Sequence, residues 1–278
     1  MMECSDARER FDAHAGVWAD YNRQPLGRIR GEVTWHNLCR HLPPIADAAA
    51  PPRVLDAGGG SGELTLRLLE CGYRVWLLDY APAMLDQARR AADELPAAAR
   101  ERLTCCLLPA DEAGTAFDPG FFDVVTCHTL IEYLPRPQDT LRQLARVLGD
   151  GGLLSLSFVN RHAEVLRQVW RHGHPAGALA RLEEGQFCAR LFDVAGRAYT
   201  AGEVSNWLVG LGLAVAATYG VRAFADQVPP QRLNAPEFFA DLLRLEVAAA
   251  SLSPYRHIAR YVHLIAQVPS PLSPGGEG

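Results

Sequence analysis

Between a short apolar run and an amphipathic one lies Asp56-Ala57-Gly58-Gly59-Gly60-Ser61-Gly62-Glu63, where a predicted strand gives way to a predicted helix. Glycines suit a backbone that must turn sharply and let a ligand touch it without a Cβ in between. The helix beyond offers free N–H groups and a partial positive charge to an anionic group. The spacing is G-x-G-x-G preceded by an acid. The G-x-G-x-x-G that leaves room for a pyrophosphate is absent, because Glu63 stands where its last glycine would be. A carboxylate closing the second strand is placed to bind ribose hydroxyls, and Asp79 falls 17 residues after Gly62. Each feature alone has a plainer reading: a Gly-rich turn can be only a turn, and Asp79 or Asp111 can be a helix N-cap. Together and in this order they point to one nucleoside-bearing ligand.

The elements that must position these residues alternate in period. Arg53–Ala57, Arg74–Asp79, Leu103–Leu108, Phe121–His128 and Gly152–Asn160 read as strands, with helices at Glu63–Cys71, Pro82–Leu95 and Pro137–Leu148. Strands alternating with helices predict an α/β fold, a mostly parallel sheet with helices on both faces. The near-continuous apolar strands agree, since such a sheet is covered on both sides. Residues 1–50, with two Trp- and Tyr-bearing amphipathic stretches, are expected to form a helical cap over the cofactor pocket, followed by the α/β core at 51–160. From 161 to 199 the strand rhythm stops and a helical insertion is expected to form a lid. The core resumes over 200–267, where Thr200 and Glu203 form a capping box, Leu213–Tyr219 and Arg260–Gln267 read as strands, and a helical insertion occupies 229–251. The Pro-, Ser- and Gly-rich segment 268–278 is expected to be disordered.

Composition narrows the chemistry. The chain has 278 residues, 49% apolar and 21% charged, a globular balance far from that of disordered sequences. All 27 basic residues are Arg, which excludes Schiff-base catalysis and a P-loop lysine. Seven cysteines form no C-x-x-C and read as reduced, small hydrophobes. His172-Gly173-His174 is the one close histidine pair in the sequence, and with no further ligand nearby no metal is expected. No apolar run approaches the ~18 residues of a membrane span, and the first residues lack the apolar stretch of a secretory signal, so a cytoplasmic protein without membrane contact is expected. Net charge is −5, but residues 151–278 hold 11 Arg against 10 acids while 1–150 hold 16 against 22. A polyanion would more readily meet the second half.

The glycine loop preceded by Asp56 resembles the first motif of class I S-adenosylmethionine methyltransferases, whose loop after the third strand, here Pro109-Ala110-Asp111, lies along the adenine. A narrower likeness rests on Arg28 to Trp35, Val54 to Gly62, His128-Thr129-Leu130-Ile131-Glu132-Tyr133, Phe158-Val159-Asn160, Gly220 to Phe224, Leu242 to Glu246 and Ala259 to His263. These runs resemble the tRNA 5-carboxymethoxyuridine methyltransferase family, which esterifies the carboxylate of a modified wobble uridine. The likeness extends from about Phe11 to Gln267.

It implies a Rossmann-like fold with a seven-stranded sheet and S-adenosylmethionine contacts from Arg30, Gly58, Gly59, Asp79, Pro109, Ala110 and His128, to which the glycine motif adds Asp56, Gly60 and Gly62 and the adenine loop adds Asp111. It also implies a tRNA anticodon region as partner. A carboxylate acceptor, with a pKa near ~4, is ionised at neutral pH and needs no general base. Cationic clamps should hold it, with Arg222 and Arg260 the candidates and His128 beside them at the end of the fourth strand. Asn160, Arg222, Tyr255, Tyr261 and His263 are the candidate acceptor-binding residues, the aromatic ones because single-stranded RNA is read by stacking and hydrogen bonding to splayed bases. A family-type Lys-rich run is missing from the insertion, where Arg181 to Arg190 stands instead. The alternative is a small-molecule O- or N-methyltransferase, in which His128 or His162 would serve as base for a hydroxyl acceptor.

Overall fold

The computed structural model describes residues 4–184, 186–189 and 194–270. Seven strands form one sheet: β1 (Arg53–Ala57), β2 (Arg74–Asp79), β3 (Leu103–Leu107), β4 (Phe122–His128), β5 (Leu148–Val159), β8 (Ala214–Val221) and β9 (Tyr261–Gln267). A separate hairpin consists of β6 (Gln186–Ala189) and β7 (Val194–Arg197). The order across the sheet is β3-β2-β1-β4-β5-β9-β8. The first five strands pair in parallel, and β9 runs antiparallel to both its neighbours. The order reverses between β1 and β4, the point at which open α/β sheets bind ligands beyond the strands' carboxyl ends.

The strands are apolar on both faces because both faces are covered. Val54, Val75 and Val124 meet Ile29 and Val33 of the helix Pro25–Cys39 on one side. Leu55, Leu78 and Val125 meet Leu141, Leu144 and Leu208 on the other. Proline opens the helices Pro25–Cys39, Pro82–Ala92, Pro137–Arg146 and Pro236–Ala249, where its missing N–H costs nothing. The helix Ala201–Gly210 begins with the expected capping box, the Glu203 N–H donating to Thr200 Oγ1 and the Thr200 N–H to Glu203 Oε2.

Before the sheet, helices Cys4–Ala13 and Ala15–Arg23 lead into Pro25–Cys39. The segment 161–199 differs from the all-helical expectation: after helices Arg161–Trp170 and Pro175–Glu184 the chain forms the β6–β7 hairpin. Two four-residue strands without clear alternation leave little periodic signal. The expected disordered tail lies outside the described residues from 271 onward. Among the described residues no helix is long and apolar enough to cross a membrane.

Candidate active site

The turn from β1 into the helix Glu63–Glu70 is built on three left-handed glycines, Gly58 (φ +69°), Gly60 (φ +56°) and Gly62 (φ +85°). Gly59 is excluded from carrying a side chain by packing, since a Cβ would stand 2.5 Å from Asp56 Oδ2. Asp56 is enclosed by the fold. It is 2% exposed, and its oxygens accept from the Thr65 and Thr126 hydroxyls at 2.7 Å each. It ties β1 to β4 and to the helix beneath the loop. Burial, outweighing those two hydrogen bonds, pushes its pKa up to about 6.

Asp79, at the end of β2, accepts from the Gly60 N–H at 3.0 Å and the Ala81 N–H at 2.9 Å. Burial raises its pKa against those amides. Its carboxylate is thus fixed beside the loop, where a ribose-binding acid belongs. Pro109 and the short turn Ala110–Glu112 follow β3, with Ala110 buried and Asp111 exposed. Trp18, from the helix Ala15–Arg23, packs over the loop: its Nε1 lies 3.4 Å from where a Gly60 Cβ would be. Arg30 reaches in from the next helix. It donates to Asn22 Oδ1 at 2.6 Å and Thr129 Oγ1 at 3.3 Å, lies 4.5 Å over the Trp18 ring, and keeps a buried Nε without a partner.

The loop, the fixed Asp79 and the free Arg30 Nε together fit a nucleoside with an anionic amino-acid tail. Glycine conformation supplies close approach, a carboxylate meets hydroxyls, and a guanidinium meets a carboxylate.

A cavity of about 620 Å³ adjoins Arg30. Six arginines line it: Arg30, Arg167, Arg171, Arg181, Arg222 and Arg260, with the acids Glu132, Glu164 and Asp226. Arg222 is 4% exposed and holds a left-handed backbone, φ +64°. A non-glycine residue there is strained. Glu246 holds the turn by accepting from the N–H groups of Ala223, Phe224 and Ala225 at 2.7 to 2.9 Å. Arg222 then grips Asp226 through two hydrogen bonds, at 2.6 and 3.0 Å, and donates to the Tyr21 hydroxyl at 2.6 Å. Asp226 also pairs with Arg167. The Arg260 N–H donates to the Arg222 carbonyl at 2.9 Å, which sets the two arginines side by side, and Arg260 pairs with Glu164. Tyr261 lies beneath both guanidinium groups, 5.6 Å from that of Arg222 and 5.5 Å from that of Arg260.

Arg30, Arg222, Arg260 and Tyr261 are therefore brought together in the cavity lining, whereas His128, His263, Asn160 and Tyr255 stand outside it. His128 Nε2 and His263 Nε2 share the Ser155 hydroxyl at 2.8 Å each, and the rings meet edge to face. Burial, assisted by Arg30, lowers the His128 pKa to about 3, and burial also takes His263 well below its ordinary value. Both are residues of the sheet, neither lines the cavity, and His128 is held below the range of a base poised near neutrality. Asn160 is an N-cap: its Oδ1 accepts from the His162 N–H, and its amide donates to the carbonyls of His257 and Ala259. Tyr255, 37% exposed, packs on Phe224 away from the cavity.

Sequence reasoning missed Tyr21, Asp226 and Glu132. A signal existed for the last, an acid set inside the apolar run Leu130-Ile131-Glu132-Tyr133. No group of three or more His, Cys, Asp or Glu side chains among the described residues could hold a metal ion.

Residues 30–201 match a family described as a methyltransferase domain. The chain belongs to this methyltransferase family. It is 28% identical over 244 residues to the tRNA 5-carboxymethoxyuridine methyltransferase of Escherichia coli strain K12, covering 87% of this chain and 89% of that one. It is 30% identical over 211 residues to a ubiquinone biosynthesis O-methyltransferase of Xanthomonas euvesicatoria pv. vesicatoria, covering 74% and 79%. Among solved structures it is similar to a 1,6-didemethyltoxoflavin-N1-methyltransferase of Burkholderia thailandensis with bound S-adenosylhomocysteine, with a TM-score of 0.56 and 17% identity over 96% of this chain and 88% of that one, a likeness of fold. The chain is a methyltransferase that uses S-adenosylmethionine.

Proposed function

We propose that this methyltransferase esterifies the carboxylate of 5-carboxymethoxyuridine at the wobble position of a tRNA. The observation that carries the reading is the cavity beside the glycine loop, in which Arg222 and Arg260 stand next to each other and which Arg30 also lines. A cavity with six arginines against three acids suits an anionic acceptor. S-adenosylmethionine, when bound, supplies a methyl group on a sulfonium. Gly58, Gly59, Gly60 and Gly62 would give it close approach, Asp79 would accept from its ribose hydroxyls, Pro109, Ala110 and Asp111 would border its adenine, and Arg30 would pair with its carboxylate.

The acceptor carboxylate arrives ionised, so what the protein must provide is alignment and exclusion of water. Arg222 is suited to this because Asp226, Tyr21 and the Glu246-held turn fix its guanidinium before any ligand arrives. Three of its five N–H donors are used within the protein, which leaves two for an acceptor. Neutral His128 is consistent with chemistry that takes no proton from the acceptor. The resemblance to the Escherichia coli enzyme over most of both chains supports the tRNA partner. The test is incubation with isotopically labelled S-adenosylmethionine and tRNA bearing unmethylated 5-carboxymethoxyuridine, followed by digestion and mass spectrometry. A labelled, alkali-labile methyl ester is expected. Unlabelled RNA from protein that binds S-adenosylmethionine would reject the reading.

A second reading, a small-molecule O- or N-methyltransferase, is supported by the ubiquinone-pathway relative and by the acidic net charge of the chain. Label appearing in a metabolite extract and not in tRNA would favour it.

A further inference from the structure

One group in the cavity is left over from the clamp just described. Glu132 lies in the turn Ile131–Tyr133 after β4, is 2% exposed, and lines the cavity. Neither of its carboxylate oxygens has a hydrogen-bond partner. Burial raises its pKa to about 7, against Arg260, Arg30 and two backbone N–H groups, its own and that of Val159, which approach it short of good hydrogen-bond geometry. Buried carboxylates that serve the scaffold are satisfied as the chain folds. Asp56 has two threonine hydroxyls and Glu246 three backbone N–H groups. A buried carboxylate without a donor is costly and needs a reason.

The cavity says what kind of ligand would supply one. Its arginines are donors without acceptor capacity, and Asp226 and Glu164 are already engaged by Arg222, Arg167 and Arg260. A ligand that answers every side must therefore carry an anion for the arginines and an N–H or O–H group for Glu132. An acceptor with a carboxylate alone would leave Glu132 stranded. On the reading of the acceptor as a 5-carboxymethoxyuridine, the ring offers one N–H, the imide N3–H, and the anion hangs from the same ring. We infer that Glu132 recognises the acceptor base, accepting a hydrogen bond from the imide N–H of a uracil ring while Arg222 and Arg260 hold the carboxylate on its 5-substituent. This makes Glu132 a specificity-determining residue, and it rests on the proposed acceptor. Anionic molecules with no N–H or O–H donor in reach would be poor acceptors, because binding would bury Glu132 deeper without a partner.

The experiment pairs two acceptors with three proteins. The acceptors are anticodon stem-loop RNAs bearing 5-carboxymethoxyuridine or its N3-methyl derivative. The proteins are the wild type, Glu132→Met, which removes the acceptor oxygens at similar volume, and Glu132→Gln, which keeps an uncharged one. In the wild type kcat/KM should be about 10- to 100-fold higher for the N3–H substrate, the range of one hydrogen bond to a charged group. In Glu132→Met that ratio should collapse toward one through loss on the N3–H substrate alone, and in Glu132→Gln it should fall several-fold. If Glu132→Met does not fold, the ratio in Glu132→Gln decides. An unchanged ratio in either folded variant, or an equal loss on both substrates, would overturn the assignment while leaving the acceptor intact. If the wild type esterifies neither RNA although it binds S-adenosylmethionine, the acceptor reading itself has failed and this role falls with it.

Discussion

The floor of the glycine loop and the floor of the arginine cavity both contain a carboxylate sealed from solvent, and the two are treated in opposite ways. Asp56 is surrounded by groups the fold supplies, and Glu132 is not. Burial raises both pKa values, to about 6 and about 7, so burial alone does not distinguish scaffold from site. What separates these two is whether the hydrogen bonds close within the chain. Scaffold acids spend their lone pairs on folding; Glu132 keeps its own. The same contrast separates Arg222, which is pinned on one side and has N–H donors to spare, from the histidine pair within the sheet, which shares one serine hydroxyl.

The widest break of this comparison is Asp56→Ala. It strands two threonine hydroxyls inside the core and leaves a small void, so a loss of about 2 to 4 kcal/mol is expected in the urea midpoint. A loss below about 1 kcal/mol would mean that Asp56 is not the tie between β1, β4 and the loop. Arg222→Lys comes next. It keeps the charge and loses the planar fork, so methyl transfer should fall about 10- to 100-fold while calorimetry shows S-adenosylmethionine affinity nearly unchanged. Equal loss of both would move Arg222 into the cofactor site.

Glu132→Gln should shift stability the other way. Its carboxyl binds a proton more readily folded (about 7) than unfolded (4.5). The folded state therefore holds the extra proton between those values, and stability declines as pH rises across that window. The glutamine variant lacks this decline. In thermal melts it should equal the wild type near pH 4 and exceed it by about 1 to 3 kcal/mol at pH 8. Arg30, Arg260, Tyr133 and Tyr261 surround the group, and burial holds both tyrosines above their ordinary range.

Much of this was legible before the structure. The glycine spacing located the loop, the strand–helix alternation gave the parallel sheet, and Thr200 with Glu203 marked a helix start. Which way side chains point was not legible for strands buried on both faces. His128 and His263 lie in runs apolar at nearly every position, where no alternation separates a face that meets ligand from one that meets core. Arg222 and Arg260 were readable as a pair of cations near strand ends, but their adjacency depends on the antiparallel pairing of β8 with β9, residues 214–221 against 261–267. Such long-range pairing has no local signature. Asn160 shows the same limit from another side: an asparagine before a helix reads equally as cap or ligand, and two carbonyls from the distant segment 257–259 decide it.

The smallest expected effect sharpens the comparison at its other end. His128 is held neutral, with a folded pKa of about 3 against an ordinary 6.5. In that interval the unfolded chain takes up a proton that the folded one refuses, so stability is full above pH 6.5 and is lost as pH falls toward 3. His128→Gln keeps a polar partner for Ser155 and removes the titration. The variant should be within about 1 kcal/mol of the wild type at pH 8 and relatively more stable at pH 5, as read by denaturant midpoints at the two values. The pH profile of methyl transfer between 6 and 8 should be the same in both proteins. A limb near pH 6 to 7 present in the wild type and missing from the variant would return His128 to the role of base, and with it a hydroxyl in place of a carboxylate as the methyl acceptor.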